Sequence, residues 1–169
     1  MRIFIIGFMY SGKSTIGKKL AKAMNLEYID TDNIFESKYN ITVAHFFEKY
    51  GEDLFREFEH KILLEAIENE NAIISTGGGL PCFNGNMELI KQNGISIYLK
   101  MSPLSIIHRI NHSKKKRPLL KNKSQEELQT YIETLLKQRE IFYNQATLTI
   151  KGESPNIKEI QEEILSITK

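Results

Sequence analysis

The sequence predicts an α/β fold built around a parallel β-sheet. Two observations predict it: short apolar runs alternate along the chain with longer amphipathic segments, and runs such as "IFII", "AIIS" and "SIYL" do not themselves alternate between polar and apolar residues. Alternation of the two kinds of segment is typical of repeated βαβ units. Unbroken apolar runs are expected of strands that are covered on both faces.

Five strands and four prominent amphipathic helices can be placed in order. The strands are predicted at residues 3–6, 27–29, 72–75, 96–99 and 147–150. Apolar residues at helical spacing mark the buried stripes of the helices; they are Ile16, Leu20 and Met24, then Phe55, Phe58, Ile62 and Ala66, then Leu128, Ile132, Leu135 and Phe142, and finally Ile157, Ile160, Ile164 and Ile167. Ser124 and Glu127 have the spacing of a capping box at the start of the third helix.

The chain of 169 residues is predicted to form one domain, because no internal repeat and no long linker divides it. A net charge of +2 does not indicate nucleic acid or a membrane as a partner, and no apolar run approaches the roughly 20 residues of a membrane span. The single cysteine, Cys82, is typical of a reducing compartment, so we expect a cytoplasmic protein. Its thiol could be a nucleophile, but no histidine is near it in sequence, which favours a structural role.

A phosphate-binding loop is predicted at residues 7–15, "GFMYSGKST", between the first strand and the first helix. Gly7, Gly12, Lys13 and Ser14 fit the pattern G-x-x-x-x-G-K-[ST] in full, in the structural context that the motif requires. Backbone N–H groups and the helix N-terminus attract phosphate oxygens, the lysine adds a full charge, and the serine hydroxyl can bind Mg²⁺. The loop therefore predicts binding of a nucleoside triphosphate, and its contacts are expected from Gly7, Tyr10, Ser11, Gly12, Lys13, Ser14 and Thr15.

Two carboxylates follow the second strand, Asp30 and Asp32 in "YIDTD". Ligands of open α/β sheets bind at the carboxyl ends of strands, so the pair is expected to face the phosphate loop. One carboxylate is predicted to serve Mg²⁺ and the other the substrate. The alternative for Asp32 is the N-cap of a helix that begins at Asn33.

Charged residues interrupt two apolar helix faces. Glu59 lies on the apolar side of the second helix, three residues after Arg56, and Arg139 lies on the apolar stripe of the third. A buried charge is costly unless it is paired or faces a ligand. The two interpretations are an ion pair of Arg56 and Glu59 at a packing edge, and an anion site in which Arg56 and Arg139 bind a carboxylate while Glu59 orients Arg56.

Three glycines in succession, Gly77, Gly78 and Gly79, follow the third strand. A simple turn needs one glycine, so three indicate a backbone that a ligand approaches closely.

Farther along, residues 112–123, "HSKKKRPLLKNK", hold six Lys/Arg and no acid. They are interpreted as a mobile basic lid that brings Arg117 to the phosphates; a solvated lysine face and a weak RNA-binding patch are the alternatives.

Taken together, six ordered motifs resemble the shikimate kinases over nearly the whole chain: "GFMYSGKST", "DTD" at 30–32, "FREFE" at 55–59, "STGGG" at 75–79, "KRPLL" at 116–120 and "REIFY" at 139–143. The resemblance implies a three-layer α/β/α P-loop kinase with a five-stranded parallel sheet and a mobile lid. It implies Mg²⁺-dependent transfer of the γ-phosphate of ATP to the 3-hydroxyl of shikimate, in aromatic amino-acid synthesis, by a monomer without nucleic-acid or membrane partners. The substrate-binding helical region would be about residues 32–60.

The resemblance also implies roles for individual residues. Asp32 would contact the ring hydroxyls and be the candidate base, with Lys13 and Arg117 acting on the phosphates. Arg56 and Arg139 would bind the carboxylate, and Gly77, Gly78 and Gly79 would line the ring. Ser14 and Asp30 would hold Mg²⁺, the aspartate through water, and Arg109 and Pro155 would flank the adenine.

Two rival functions and one local departure remain. Another small-molecule kinase of the same fold, such as a gluconate kinase, shares the phosphate loop, and a nucleotide-gated regulatory or RNA-binding module is a rival of a different class. Tyr10 stands where relatives commonly carry glycine. Because a tyrosine with φ > 0 is strained, we expect an ordinary backbone at Tyr10 with its ring pointing outward.

Overall fold

A computed structural model describes residues 1–113 and 123–168 of the chain. Its sheet has five strands, all parallel, in the order β2-β3-β1-β4-β5 with β1 at the centre. The strands are β1 (Arg2–Ile6), β2 (Glu27–Asp30), β3 (Ala72–Ser75), β4 (Ile95–Lys100) and β5 (Leu148–Lys151). The predicted parallel sheet is confirmed, and each predicted strand lies within one or two residues of its observed bounds.

Helices connect the strands and cover both faces of the sheet. Within the described residues they are α1 (Lys13–Met24), α2 (Thr31–Tyr39), α3 (Val43–Tyr50), α4 (Glu52–Ile67), α5 (Asn86–Asn93), α6 (Pro103–His112), α7 (Gln125–Tyr143) and α8 (Ile157–Ile167), with a short 3-10 turn at Leu80–Cys82. This is the three-layer arrangement of a P-loop α/β fold.

The central strand shows why its apolar run is unbroken. Ile3 and Ile5 pack in one core cluster with residues of α1 and α8, whereas Phe4 and Ile6 pack in a second cluster with residues of α4 to α7. All four side chains are fully buried. Successive side chains of a strand point to opposite faces, so a strand covered on both faces must be apolar at every position.

The predicted stripe of α7 is confirmed at Leu128 and Ile132, but farther along the helix Leu136 and Tyr143 are buried, whereas the predicted Leu135 and Phe142 are half-buried. Ser124 accepts a hydrogen bond from the backbone N–H of Glu127 at 3.2 Å, and the Glu127 carboxylate accepts one from the N–H of Ser124 at 2.7 Å, so the capping box is confirmed. Ile160 and Ile164 of α8 are buried, but Ile167 at the end of that stripe is 46% exposed.

A separate aromatic cluster joins α2, α3 and α4 to one another. Phe35 packs edge-on against Phe46 and Phe55, with ring centroids 5.1 and 5.2 Å apart. Edge-to-face pairs at such distances are favourable beyond the area they bury. The cluster fixes the relative positions of the helices that carry Asp32 and Arg56.

Arg117 and residues 114–122 of the predicted lid lie outside the described residues. Among the helices that the structure describes, none combines the length and the apolar content needed to cross a membrane.

Candidate active site

The phosphate loop connects β1 to α1 at the carboxyl edge of the sheet. Gly7 has φ 145° and Gly12, the N-cap of α1, has φ 97°, both in the region that favours glycine. A Cβ atom on Gly7 would lie 2.9 Å from the carbonyl oxygen of Leu99 in β4. Both motif glycines are therefore required by the backbone, as the pattern predicts.

Tyr10 contradicts the prediction of an ordinary backbone. It has φ 61° in the left-handed region, although it is not a glycine. Its half-buried ring packs against the core cluster that contains Phe8 and Ile107, so it does not project outward as predicted. The turn of the loop imposes the left-handed conformation, which costs an L-residue roughly 1–2 kcal/mol, and the packing of the ring offsets part of that cost.

The ammonium of Lys13 folds back over the loop. Its Nζ donates to the carbonyl oxygens of Gly7 and Phe8 at 2.9 and 2.8 Å. Ser11 is buried, and its Oγ has no hydrogen-bond partner among the described residues. Ser14 and Thr15 are exposed in the first turn of α1. The predicted phosphate-binding side chains are thus grouped around one short loop.

Arg109 binds the phosphate loop from α6. Its Nη1 donates to the carbonyl oxygens of Tyr10 and Ser11 at 3.1 and 2.9 Å, and its Nη2 donates to that of Gly152 at 2.9 Å. Pro155 is half-buried three residues after Gly152, in the connection from β5 to α8. The family resemblance implied an adenine contact for Arg109, but the sequence gave no signal for these bonds to backbone carbonyls, two of which join residues almost 100 apart and the third residues 43 apart.

Asp30 has two functions in the structure. Its Oδ1 accepts from the backbone N–H groups of Asp32 and Asn33 at 3.1 and 3.4 Å, so Asp30 is the N-cap of α2. Its Oδ2 accepts from the Ser14 hydroxyl at 2.9 Å. The alternative that made Asp32 an N-cap is therefore wrong, because α2 begins at Thr31 and Asp32 lies in its first turn.

Tyr28 was not recognised from the sequence. Its hydroxyl donates to Oδ2 of Asp30 at 3.0 Å, beside the bond from Ser14. Burial raises the pKa of Tyr28 to about 12, so the phenol keeps its proton and acts as a donor at neutral pH. Tyr28 lies two residues before Asp30, so both side chains are on the same face of β2. An aromatic residue at that position is also expected of any strand covered by a helix, so the sequence alone does not single it out.

The Ser14 and Asp30 pair fits a magnesium ion that is shared with a nucleotide. Among the described residues, no group of three or more His, Cys, Asp or Glu side chains could hold a metal ion alone. Magnesium usually takes one or two protein oxygens and completes its shell with water and substrate phosphates. A hydroxyl and a carboxylate 2.9 Å apart beside the phosphate loop are consistent with that donor set.

Asp32 and Glu59 converge on Gly77. A Cβ atom on Gly77 would lie 2.6 Å from Oε1 of Glu59 and 2.9 Å from Oδ1 of Asp32. The backbone N–H of Gly77 donates to the hydroxyl of buried Thr31 at 3.0 Å, which fixes the glycine segment against α2. Gly77 is therefore needed for close packing, and not for a positive φ.

Glu59 and Arg56 form a buried ion pair. Nη1 of Arg56 donates to Glu59 at 2.6 Å, and its Nη2 donates to Glu52 at 2.9 Å; Arg56 and Glu59 are 8% and 4% exposed. Burial raises the pKa of Glu59 to about 7, against the opposing effect of Arg56, and Asp32 adds to the rise. Burial disfavours the charge of Arg56, but the two glutamates outweigh it and raise its pKa. The cost of burying the Glu59 carboxylate therefore exceeds the attraction of Arg56.

Arg139 approaches the same segment from α7. Its Nη1 lies 3.4 Å from the Cβ position of Gly78, and its guanidinium is 5.4 Å from the centroid of the Phe8 ring. The hydroxyl of buried Tyr143, one turn farther along α7, donates to the carbonyl oxygen of Gly78. The structure thus brings both predicted arginines to the glycines, since a Cβ atom on Gly79 would lie 2.5 Å from Arg56.

Cys82 lies beside this cluster but does not have the character of a nucleophile. Burial raises the pKa of its thiol to about 11, despite the opposing charges of Arg139 and Arg56. A protonated thiol is a weak nucleophile, which favours the structural interpretation. A cavity of about 690 Å³ also lies elsewhere, on α2 to α4, and is lined by none of the predicted site residues.

These features define a class of protein: a P-loop kinase fold in which two arginines, Arg56 and Arg139, lie against the glycine segment beside the phosphate loop. The comparisons with known proteins identify the family within that class. A family model described as shikimate kinase matches residues 9–169. A shikimate kinase of Azobacteroides pseudotrichonymphae is 43% identical over 165 residues, which cover 97% of each chain.

Solved structures agree. The shikimate kinase of Bacteroides thetaiotaomicron has a TM-score of 0.92 at 36% identity, covering 96% of this chain and 97% of that one. The enzyme of Acinetobacter baumannii, solved in complex with shikimate, has a TM-score of 0.86 at 32% identity, covering 99% and 92%. A gluconokinase of Sinorhizobium meliloti, at 16% identity and a TM-score of 0.56, shares the fold alone. The chain belongs to the shikimate kinase family and is a kinase.

Proposed function

We propose that the chain transfers the γ-phosphate of ATP to the 3-hydroxyl of shikimate with Mg²⁺, forming shikimate 3-phosphate and ADP. The observation that carries the proposal is the contact between donor and acceptor regions at Gly78. Its Cβ position lies 3.3 Å from the backbone nitrogen of Met9 in the phosphate loop and 3.4 Å from Arg139. An acid bound by Arg139 would therefore lie next to the transferring phosphate.

The charged residues around the glycine segment suit a hydroxylated carboxylate as acceptor. Arg56 and Arg139 are assigned to the carboxylate, because a guanidinium can bind one through two parallel hydrogen bonds. Asp32 is assigned to the ring hydroxyls and is the candidate base. The complex of the Acinetobacter baumannii relative with shikimate supports this choice of substrate.

The donor side is assigned to the phosphate loop. Lys13 contacts the phosphates, and Ser14 and Asp30 would hold the magnesium ion, which supplies positive charge to the phosphate oxygens when it is bound. Arg117 is assigned to the phosphates from the sequence alone, and Arg109 and Pro155 to the adenine. Phosphoryl transfer depends mainly on alignment and on cations around a loose transition state, so Asp32 has a larger role in orienting the hydroxyl than in early deprotonation.

The experiment is a coupled assay of ADP release with shikimate and with gluconate, in the wild-type protein and in Arg139→Ala. We expect release with shikimate and none above background with gluconate. Loss of the guanidinium should raise the KM for shikimate at least tenfold, with a smaller change in the KM for ATP. Absence of ADP release with shikimate would refute the proposed activity, and an unchanged KM would refute only the carboxylate assignment.

We also propose that the enzyme acts as a cytoplasmic monomer without nucleic-acid or membrane partners. The single cysteine of the chain supports a reducing compartment. Light scattering after size-exclusion chromatography tests the monomer, and a dimer mass at assay concentration would refute it.

A further inference from the structure

The carboxylate of Asp30 must be held in one orientation to serve a metal ion. The χ2 angle of an aspartate has a broad distribution, so hydrogen-bond partners, and not a rotamer preference, set the orientation of its oxygens. The N-cap bonds hold Oδ1 to α2, whereas Oδ2 receives the hydroxyls of Ser14 and Tyr28 at 2.9 and 3.0 Å. Tyr28 is thus the donor that holds Oδ2 from the sheet, beside the donor from the phosphate loop.

The ring of Tyr28 is itself fixed by α1. A Cβ atom on Gly17 would lie 2.6 Å from Cε2 of the ring and 2.7 Å from Oγ of Ser75. Ser75 in turn donates to the carbonyl oxygen of Lys13 at 3.3 Å. Helix α1 therefore lies directly on the tyrosine, and the hydroxyl has a fixed place between the phosphate loop and β2.

We propose that Tyr28 is a positioning residue of the magnesium site, whose hydroxyl aligns the Asp30 carboxylate with the Ser14 hydroxyl. The inference rests on the proposed assignment of magnesium to Ser14 and Asp30. Partners that orient metal ligands typically change metal affinity 10–100-fold when they are removed. Tyr28 interacts with Asp30 and Ser14, the two proposed metal ligands, so its loss should weaken binding of the metal more than binding of metal-free nucleotide.

The test measures metal binding directly, with Mn²⁺ as the probe. Electron paramagnetic resonance gives the Mn²⁺ affinity of the protein–ADP complex, and calorimetry in EDTA gives the affinity for metal-free ADP. In Tyr28→Phe we expect Mn²⁺ affinity to fall about tenfold while metal-free ADP binds as in the wild type. The phenylalanine keeps the ring against Gly17, so the fold should be preserved.

Tyr98→Phe is the matched control. It also removes a buried phenol that donates to a carboxylate at 3.0 Å, but that carboxylate belongs to Glu140 of α7 and not to a proposed metal ligand. Its Mn²⁺ affinity should equal that of the wild type. An equal loss of metal-free and Mn²⁺-dependent ADP binding in Tyr28→Phe would mean a packing role and overturn the proposal.

Asp30→Asn tests the proposed metal site separately from the role of Tyr28. Asparagine is as good an N-cap as aspartate, so α2 should still begin at Thr31. Unchanged Mn²⁺ affinity in this variant would refute the proposed metal site itself. Weakened binding in Asp30→Asn together with wild-type binding in Tyr28→Phe would refute only the role of Tyr28.

Discussion

The buried carboxylate of Glu59 should make the stability of the protein fall between mildly acid and mildly alkaline pH. The perturbation that isolates this effect is Glu59→Gln, which removes the charge and keeps the shape. In the folded protein the pKa of Glu59 is raised from 4.5 to about 7 by burial. The folded state therefore holds this proton more tightly than the unfolded chain, and stability is lost as pH rises from about 4.5 through about 7.

The magnitude follows from the two pKa values. Between pH 5 and pH 8 the carboxylate should lower the free energy of unfolding of the wild type by roughly 2–3 kcal/mol, relative to the glutamine variant. The constant cost of weakening the bond to Arg56 cancels, because only the change with pH is compared. The free energy of unfolding of the variant, relative to that of the wild type, should therefore increase as pH rises.

Urea unfolding followed by circular dichroism measures the difference, since the chain contains no tryptophan for a fluorescence assay. Glu52→Gln is the control: Glu52 also binds Arg56, but its side chain is 47% exposed, and exposed pairs contribute roughly 0–1 kcal/mol. Its pH dependence should parallel that of the wild type. If Glu59→Gln also parallels the wild type, Glu59 has no raised pKa and the argument from burial is refuted.

Three further substitutions test the site. Gly79→Ala should raise the KM for shikimate at least tenfold by displacing Arg56, whose nitrogens lie 2.5 Å from the new methyl position; an unchanged KM would contradict this. Arg109→Ala removes two hydrogen bonds to the phosphate loop and should raise the KM for ATP about tenfold or more, with Arg109→Lys partly restoring it; equal KM values in all three proteins would remove the role. Arg117→Ala should reduce kcat far more than shikimate affinity, and a loss confined to ATP binding would argue against a role in the transition state.

Local patterns were sufficient for much of the fold. The strands could be located because both faces of the sheet are covered, which makes residues such as Phe4 and Ile5 apolar in succession. The capping box of Ser124 and Glu127 could be located because its two bonds join residues three apart. In both cases the physical cause acts within a few residues of the chain.

The errors arose where the deciding contact was distant or the loop geometry was special. Asp30 caps α2 through Oδ1 while Ser14, 16 residues away, holds its Oδ2, and sequence order alone could not choose it over Asp32. The left-handed backbone of Tyr10 is set by the turn of the phosphate loop and by Arg109, which binds its carbonyl from α6. Likewise, the bond from Tyr143 to Gly78 joins residues 65 apart. Residue spacing contains no information on such pairs.

The contacts of the three consecutive glycines after β3 also limit which substitutions these positions can accept during evolution. A methyl group would lie 2.5 Å from Arg56 at position 79, 2.6 Å from Glu59 at 77, and 3.3 Å from the phosphate loop at 78. Any amino-acid substitution of a glycine adds a side chain, and at each of the three positions that side chain would contact a different part of the protein. Tolerance should be greatest at the middle glycine, and a lineage could change the outer two only after remodelling the charged residues that press against them.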